Sequence, residues 1–312
     1  MLYSICDYRK SANQNEAAIG KNMFTRRQFL ITASATGICT TLDLTTQRAF
    51  AATTKGISYG AKKLDIYSPT GKTGRPIMIF VHGGAWALGN RGQVGRKPKF
   101  FTRAGFVFAS VSYSLYPAAN AMTQAKQVAQ AVDFIHKNAE RFGGDPNRVI
   151  LMGHSAGCHL ASLATLSGLV PNIRGLICND TGAYDLHYLA KINGGSLPVI
   201  YAAPFRKRKF WDQWSPITYS SNNASLPLMV PWSGGRNRDR ITANFIGRLR
   251  SHNADVTPFD GTSYSHLSIN KAVGKRGDRL TSSILEFVTH AFDKAKCTPP
   301  SQIVDNQCVV NG

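Results

Sequence analysis

Acidic side chains are scarce in this sequence. Only 17 Asp and Glu stand against 37 Lys and Arg in 312 residues, a formal net charge of +20. A field of this sign either favours anionic surfaces or substrates or simply keeps the protein in solution. Long apolar runs are also missing. No stretch of about 18 apolar residues occurs, so no ordinary membrane-spanning helix is expected. No Cys, His and Asp cluster has metal-ligand spacing, and no metal is expected. Nucleic-acid-binding signatures are absent, so nucleic acid is not an expected partner. Gly and Pro are not in excess, which excludes a fibrous or low-complexity chain. What remains is 43% hydrophobic and long enough for one large α/β core.

The N-terminus reads as an address. Thr25-Arg26-Arg27-Gln28-Phe29-Leu30 carries paired arginines, a mildly apolar stretch runs to about Leu42, and Ala49-Phe50-Ala51 offers a small-residue cleavage site. The three parts in this order resemble a twin-arginine export signal, which implies a mature chain from about Ala52, periplasmic or secreted. Residues 1–51 hold six of the basic and three of the acidic side chains, so the remainder keeps 31 against 14. Cys6 and Cys39 belong to this segment, whereas Cys158 and Cys178 sit in apolar stretches and read as buried thiols. Cys297 and Cys308 flank a short tail loop with Pro299-Pro300, and an oxidising compartment permits a disulfide between them.

After residue 52, short β-rich runs alternate with helical patterns. Lys63 to Tyr67 alternates polar and apolar like an edge strand. Ile77 to Val81, Val107 to Val111 and Val149 to Met152 are continuous apolar runs, as in parallel strands buried on both faces. Further strands are expected at 173–178, 226–230 and 256–259. Helices are expected at 96–104, 121–142, 155–166 and 242–250, with a final one carrying Leu280, Ile284 and Val288 on one face. Asp145-Pro146 reads as a turn. The alternation predicts an α/β fold, a mostly parallel sheet with helices on both faces. About residues 186–225 interrupt it, which reads as an inserted lid. Within it, Arg206-Lys207-Arg208-Lys209 is either a solvated face or a contact for an anionic lipid or cell-wall polymer.

Gly153-His154-Ser155-Ala156-Gly157 lies between an expected strand and an expected helix. Only small residues fit around so sharp a turn, and Ser155 is held out at the sheet edge as a nucleophile. His82-Gly83-Gly84-Ala85-Trp86 follows the strand at 77–81. Its glycines let the main chain approach a substrate and point N–H groups inward, so Gly83, Gly84 and Ala156 are the candidates for an oxyanion hole. Trp86 either lines the substrate pocket or fills core.

These two motifs, with Tyr59-Gly60, Leu64-Asp65-Ile66-Tyr67, Ser112-Tyr113, Phe142 to Pro146 and Tyr184-Asp185-Leu186, resemble the α/β-hydrolase superfamily in its esterase and kynurenine-formamidase-like branch, over about residues 57–290. The resemblance implies an α/β-hydrolase fold, no cofactor, and a serine hydrolase acting on a small-molecule ester or small amide. Triad order in that fold is Ser, acid, His. Of the histidines after residue 200, His252 and His290 read as helical or exposed, and His266 lies in the loop after the last strand, where the family places its base. The family places the acid after the strand at 226–230. Here that stretch is Ser233-Gly234-Gly235-Arg236-Asn237-Arg238-Asp239-Arg240, which makes Asp239 the candidate and Asn237 its rival. Asp239 could instead cap the following helix, and Asp185 reads as a capping turn.

The expected organisation is therefore a signal at 1–51, a hydrolase domain at 52–296 with its lid at about 186–225, and a tail at 297–312. The expected function is an exported carboxylic ester hydrolase using Ser155, His266 and Asp239. An arylformamidase and a catalytically weak binding protein on the same scaffold are the alternatives.

Overall fold

A computed structural model describes residues 52–60, 62–170, 172–222, 224–235 and 237–297, with backbone only for 295–297. The signal segment and the Cys297–Cys308 pairing lie outside what it describes. The strands are β1 (Ala52–Ser58), β2 (Lys63–Ser68), β3 (Arg75–Val81), β4 (Val107–Val111), β5 (Gly144–His154), β6 (Gly175–Asn179), β7 (Leu228–Ser233) and β8 (Val256–Gly261). The helices are α1 (Lys97–Arg103), α2 (Ala121–Lys137), α3 (Ala156–Leu166), α4 (Leu186–Ile192), α5 (Val199–Ala202), α6 (Trp211–Trp214), α7 (Arg238–Arg250), α8 (His266–Ala272) and α9 (Arg279–Cys297). The strands form one sheet in the order β1-β2-β4-β3-β5-β6-β7-β8. β1, β2 and β4 pair antiparallel, and every pairing from β4 through β3 to β8 is parallel.

The continuous apolar runs are explained by what covers them. Along β3, Ile77, Ile79 and Val81 pack into one core with α2 and α3, while Met78 and Phe80 pack into a second core with α1, α8 and α9. Successive side chains point to opposite faces, so a strand covered on both must be apolar throughout. Cys158 and Cys178 are buried free thiols in the first core. Asn120 caps α2 by accepting from the Thr123 N–H at 2.9 Å.

Four local expectations are corrected. β2 is not an edge strand, because residues 52–58 form β1 outside it. Asp145-Pro146 lies within β5 rather than in a turn before it. α7 starts at Arg238, earlier than the apolar pattern suggested, and His266 opens helix α8 instead of lying in a loop.

Parallel register determines where the site sits. Val81 pairs with Gly153, Gly153 with Cys178, and His154 with Asn179. The residues that follow, His82, Ser155 and Asp180, therefore emerge side by side at one edge of the sheet. The turn that carries Ser155 tolerates no extra carbon. A Cβ on Gly157 would stand 2.2 Å from the Val81 carbonyl oxygen, and one on Gly153 2.2 Å from the Gly157 oxygen. Both obstacles are backbone, which cannot swing aside. Gly157→Ala is expected to destabilise the protein by about 3 kcal/mol, read as a lowered urea midpoint with an unchanged slope.

Candidate active site

Ser155 sits between β5 and α3 with φ 57°, a left-handed backbone forced on a non-glycine residue. Its N–H is held by the Asn179 and Asp180 carbonyls at 3.3 and 3.2 Å, so the end of β6 supports the turn. The Ser155 hydroxyl lies 2.9 Å from His266 Nε2. His266 Nδ1 lies 2.7 Å from Asp180 Oδ2. An ionised carboxylate only accepts, so Nδ1 carries the proton and Nε2 is left to accept from the serine.

The carboxylate that meets His266 is not the expected one. Asp239 is exposed in the first turn of α7, where it faces the positive end of the helix dipole, and Asn237 stands at the helix N-cap with φ 59°. Neither reaches the histidine, whose Nδ1 is occupied by Asp180. Asp180 follows β6, one strand earlier than expected, and its side chain has no solvent exposure. It also adopts a left-handed φ of 57°. Its N–H bonds to the Cys178 and Pro231 carbonyls, both at 3.0 Å. The Asp239 segment nevertheless takes part. Ser233 donates to Asp180 Oδ2 at 2.6 Å, and Arg238 turns inward to place Nε 3.8 Å from Asp180 Oδ1, an ion pair rather than a hydrogen bond. Asp185 caps α4 by accepting from Tyr188 N–H at 2.9 Å, as read from the sequence.

Burial alone would push the Asp180 carboxyl up. The hydrogen bond from His266, the Arg238 guanidinium and the Ser233 hydroxyl together outweigh it and hold the group at about 2. His154 donates Nε2–H to the His266 carbonyl at 2.9 Å, and burial with the neighbouring His266 lowers it to about 3. It is a neutral brace. α8, which presents His266, is tied at both ends. Ser265 and Ser268 form a capping box at its start, and buried Lys97 donates to the Asn270 carbonyl at 3.0 Å near its finish.

The His82–Trp86 loop is equally constrained. A Cβ on Gly83 would lie 3.0 Å from the Ser155 Cβ, so this main chain packs directly on the nucleophile turn. His82 donates Nδ1–H to the Gly83 carbonyl at 2.7 Å and stacks on Tyr113, whose hydroxyl donates to the His82 carbonyl at 3.0 Å. Ala156 opens α3, so its N–H has no acceptor within the helix. Gly83 and Ala156 thus border the serine, and Gly84 continues the same loop toward Leu88. Trp86 is not an open pocket wall. It is 3% exposed, packed edge-on to Phe205 at 4.6 Å and tilted on Tyr201 at 5.5 Å. Its indole N–H donates to His159 Nδ1 at 3.0 Å, and His159 donates Nε2–H to the Trp214 carbonyl at 2.7 Å. Burial holds His159 down at about 4, which keeps it neutral and able to do both. Sequence reading missed Asp180, whereas His154 and His159 pack and hydrogen-bond beside the serine turn as their flanking positions suggest. The available signal was an Asn-Asp pair closing a five-residue apolar strand in a chain poor in acids.

A tight serine turn after the fifth strand, an Asp–His–Ser contact chain with a buried carboxylate and a glycine loop beside them define an α/β-hydrolase. The BD-FAE family model matches residues 64–231, and the chain belongs to that family. It is 33% identical over 267 residues to a probable isoprenylcysteine alpha-carbonyl methylesterase, ICMEL2, of Arabidopsis thaliana, covering 77% of this chain and 63% of that protein. It is 30% identical to kynurenine formamidase of Salmo salar, covering 77% of this chain and 84% of that one. Among solved structures, esterase B from Lactobacillus rhamnosis superposes with TM-score 0.64 at 16% identity, over 79% of this chain and 86% of its own.

The depressed Asp180 carboxyl has a sign for stability. It contributes above its unfolded value of 3.8, and that contribution is lost as pH falls toward about 2. The stability advantage of the native protein over Asp180→Asn is expected to shrink by about 2 kcal/mol from about pH 5 to about pH 2. Urea unfolding of both proteins across that range measures it.

Proposed function

We propose that this chain is a serine carboxylesterase with Ser155 as nucleophile, His266 as base and Asp180 as acid. The observation that carries it is the unbroken contact from Asp180 through His266 to the Ser155 hydroxyl, at 2.7 and 2.9 Å. His266 Nε2 takes the serine proton as Oγ attacks an ester carbonyl. The charge developing on that oxygen falls beside the main chain of Gly83, Gly84 and Ala156, where N–H donors stabilise it. His266 then protonates the leaving alcohol and afterwards activates the water that releases the acid. Asp180 stays ionised throughout, which keeps the imidazole in its productive tautomer and stabilises its charged form. No step needs a cofactor. The methylesterase relative supports an ester as substrate.

Likeness to kynurenine formamidase over most of that protein's length favours a second reading, hydrolysis of a small N-formyl amide by the same machinery. The binding-protein alternative drew its weight from an Asp239 unable to serve. Asp180 on His266 offers another acid and counts against that alternative. The arginine pair at Arg26-Arg27 and the Ala49-Phe50-Ala51 site support export.

Ser155→Ala is expected to abolish p-nitrophenyl acetate hydrolysis and fluorophosphonate labelling, and turnover persisting in that variant would overturn the assignment. Asp180→Asn should lower kcat by about 10³–10⁴-fold. Asp239→Asn should leave kcat within about twofold, as expected for an exposed helix position. Comparing kcat/KM for nitrophenyl esters with that for N-formylkynurenine separates the ester and amide readings. Arg26→Lys with Arg27→Lys should strand the enzyme in the cytosol, assayed by cell fractionation.

A further inference from the structure

Among the described residues, the large hydrophobic side chains left exposed are Leu88, Val199, Ile200 and Leu267, at 68%, 92%, 59% and 66%. They are far apart in sequence, yet each stands next in the chain to, or is bonded to, a segment that packs around the site. Leu88 closes the glycine loop, its N–H on the Gly84 carbonyl at 2.8 Å, and Gly83 of that loop packs on Ser155. Leu267 follows His266 directly, one residue into α8. Val199 and Ile200 begin α5, and the next residue, Tyr201, lies 5.5 Å from the Trp86 ring. Single exposed leucines are ordinary, but exposure confined to the surroundings of one site marks a contact surface.

The charge beside this surface selects the partner. Arg206, Lys207, Arg208 and Lys209 follow α5 and are all exposed. Arg208 and Lys209 lie over the rings of Trp211 and Phe210, at 5.0 and 5.2 Å, which fixes their stems and leaves the charge in water. Among the described residues no ion pair engages any of the four. Lys271 is exposed one turn beyond Leu267 on α8. Apolar side chains that project next to unneutralised cations suit the headgroup boundary of an anionic bilayer, where the first insert and the second meet lipid phosphates. A soluble acidic polymer would use the cations and leave Val199 and Ile200 in water.

We propose that the mouth of the site docks on an anionic lipid surface, with Val199, Ile200, Leu88 and Leu267 entering the boundary layer and Arg206 to Lys209 holding the headgroups. On the ester-hydrolase reading, this surface would deliver membrane-dissolved esters to Ser155. Docking itself does not require that reading.

The test is co-sedimentation of the full chain with vesicles of phosphatidylcholine alone or mixed with phosphatidylglycerol, at low and high salt. The expected result is binding to the phosphatidylglycerol vesicles, weakened by salt. Val199→Ser with Ile200→Ser should weaken it by about tenfold. Arg206→Gln, Lys207→Gln, Arg208→Gln and Lys209→Gln together should remove the preference for anionic vesicles. Nitrophenyl acetate turnover should be unchanged in both variants, which shows that they fold. Ser155→Ala should sediment like the native protein, so a failure of catalysis stays distinguishable from a failure of docking. Equal binding to both vesicle types, or none, would overturn the proposal. So would full vesicle binding by the Val199 and Ile200 variant combined with competition by dextran sulfate, a result that identifies an acidic polymer.

Discussion

Asp180 is an ionised carboxylate with no solvent exposure, and the C-terminal edge of the sheet is arranged around keeping it charged. Removing such a group from water is costly unless donors replace the lost hydration. Two donors and one counter-charge do so, from three directions. His266 arrives from α8, Ser233 from the end of β7, and Arg238 from the start of α7. Each is held by its own element, so the position of Asp180, the aim of His266 and the packing of the last two strands are one arrangement. The main chain joins in: the Asp180 carbonyl accepts from the Ser155 N–H, which ties Ser155 to Asp180 by backbone as well as through the histidine.

A second link runs from the same edge into the inserted segment. Trp86 on the glycine loop, His159 on α3 and the Trp214 carbonyl on α6 form a hydrogen-bonded series, with Phe205 and Tyr201 packed around it. A neutral histidine that both accepts and donates joins a loop, a helix and the segment at 186–225 without burying a charge. The insertion is thereby anchored through its aromatic side, while α5 is left to face solvent with Val199 and Ile200.

Much of this is legible in the order of the amino acids alone. The glycines around Ser155 announce a turn too tight for side chains, and the structure shows backbone oxygens where those carbons would be. The apolar runs announce strands covered on both faces. His266 can be found because few histidines follow residue 200. Asp180 cannot be found in the same way. Its role depends on which strand lies beside β5 and on the register His154 to Asn179, neither of which is written in the local pattern of Asn179-Asp180-Thr181. Arg238 is masked for a related reason. As a neighbour of Asp239 it looks like a surface partner, but α7 begins at that residue and turns its side chain inward.

The parallel sheet, the turn around Ser155, the glycine loop and His266 can be read from the order of residues, because each rests on periodicity, chain order or backbone sterics within a few residues. The fold was needed to find the carboxylate on His266, the burial of Trp86 and the exposed apolar side chains that stand next in the chain to residues of one site. Those depend on contacts between segments far apart in the chain, and a carboxylate's character is set by what surrounds it in space. The segment Ser233 to Arg240 contributes a hydroxyl and a guanidinium to the acid, and its own aspartate stays in water.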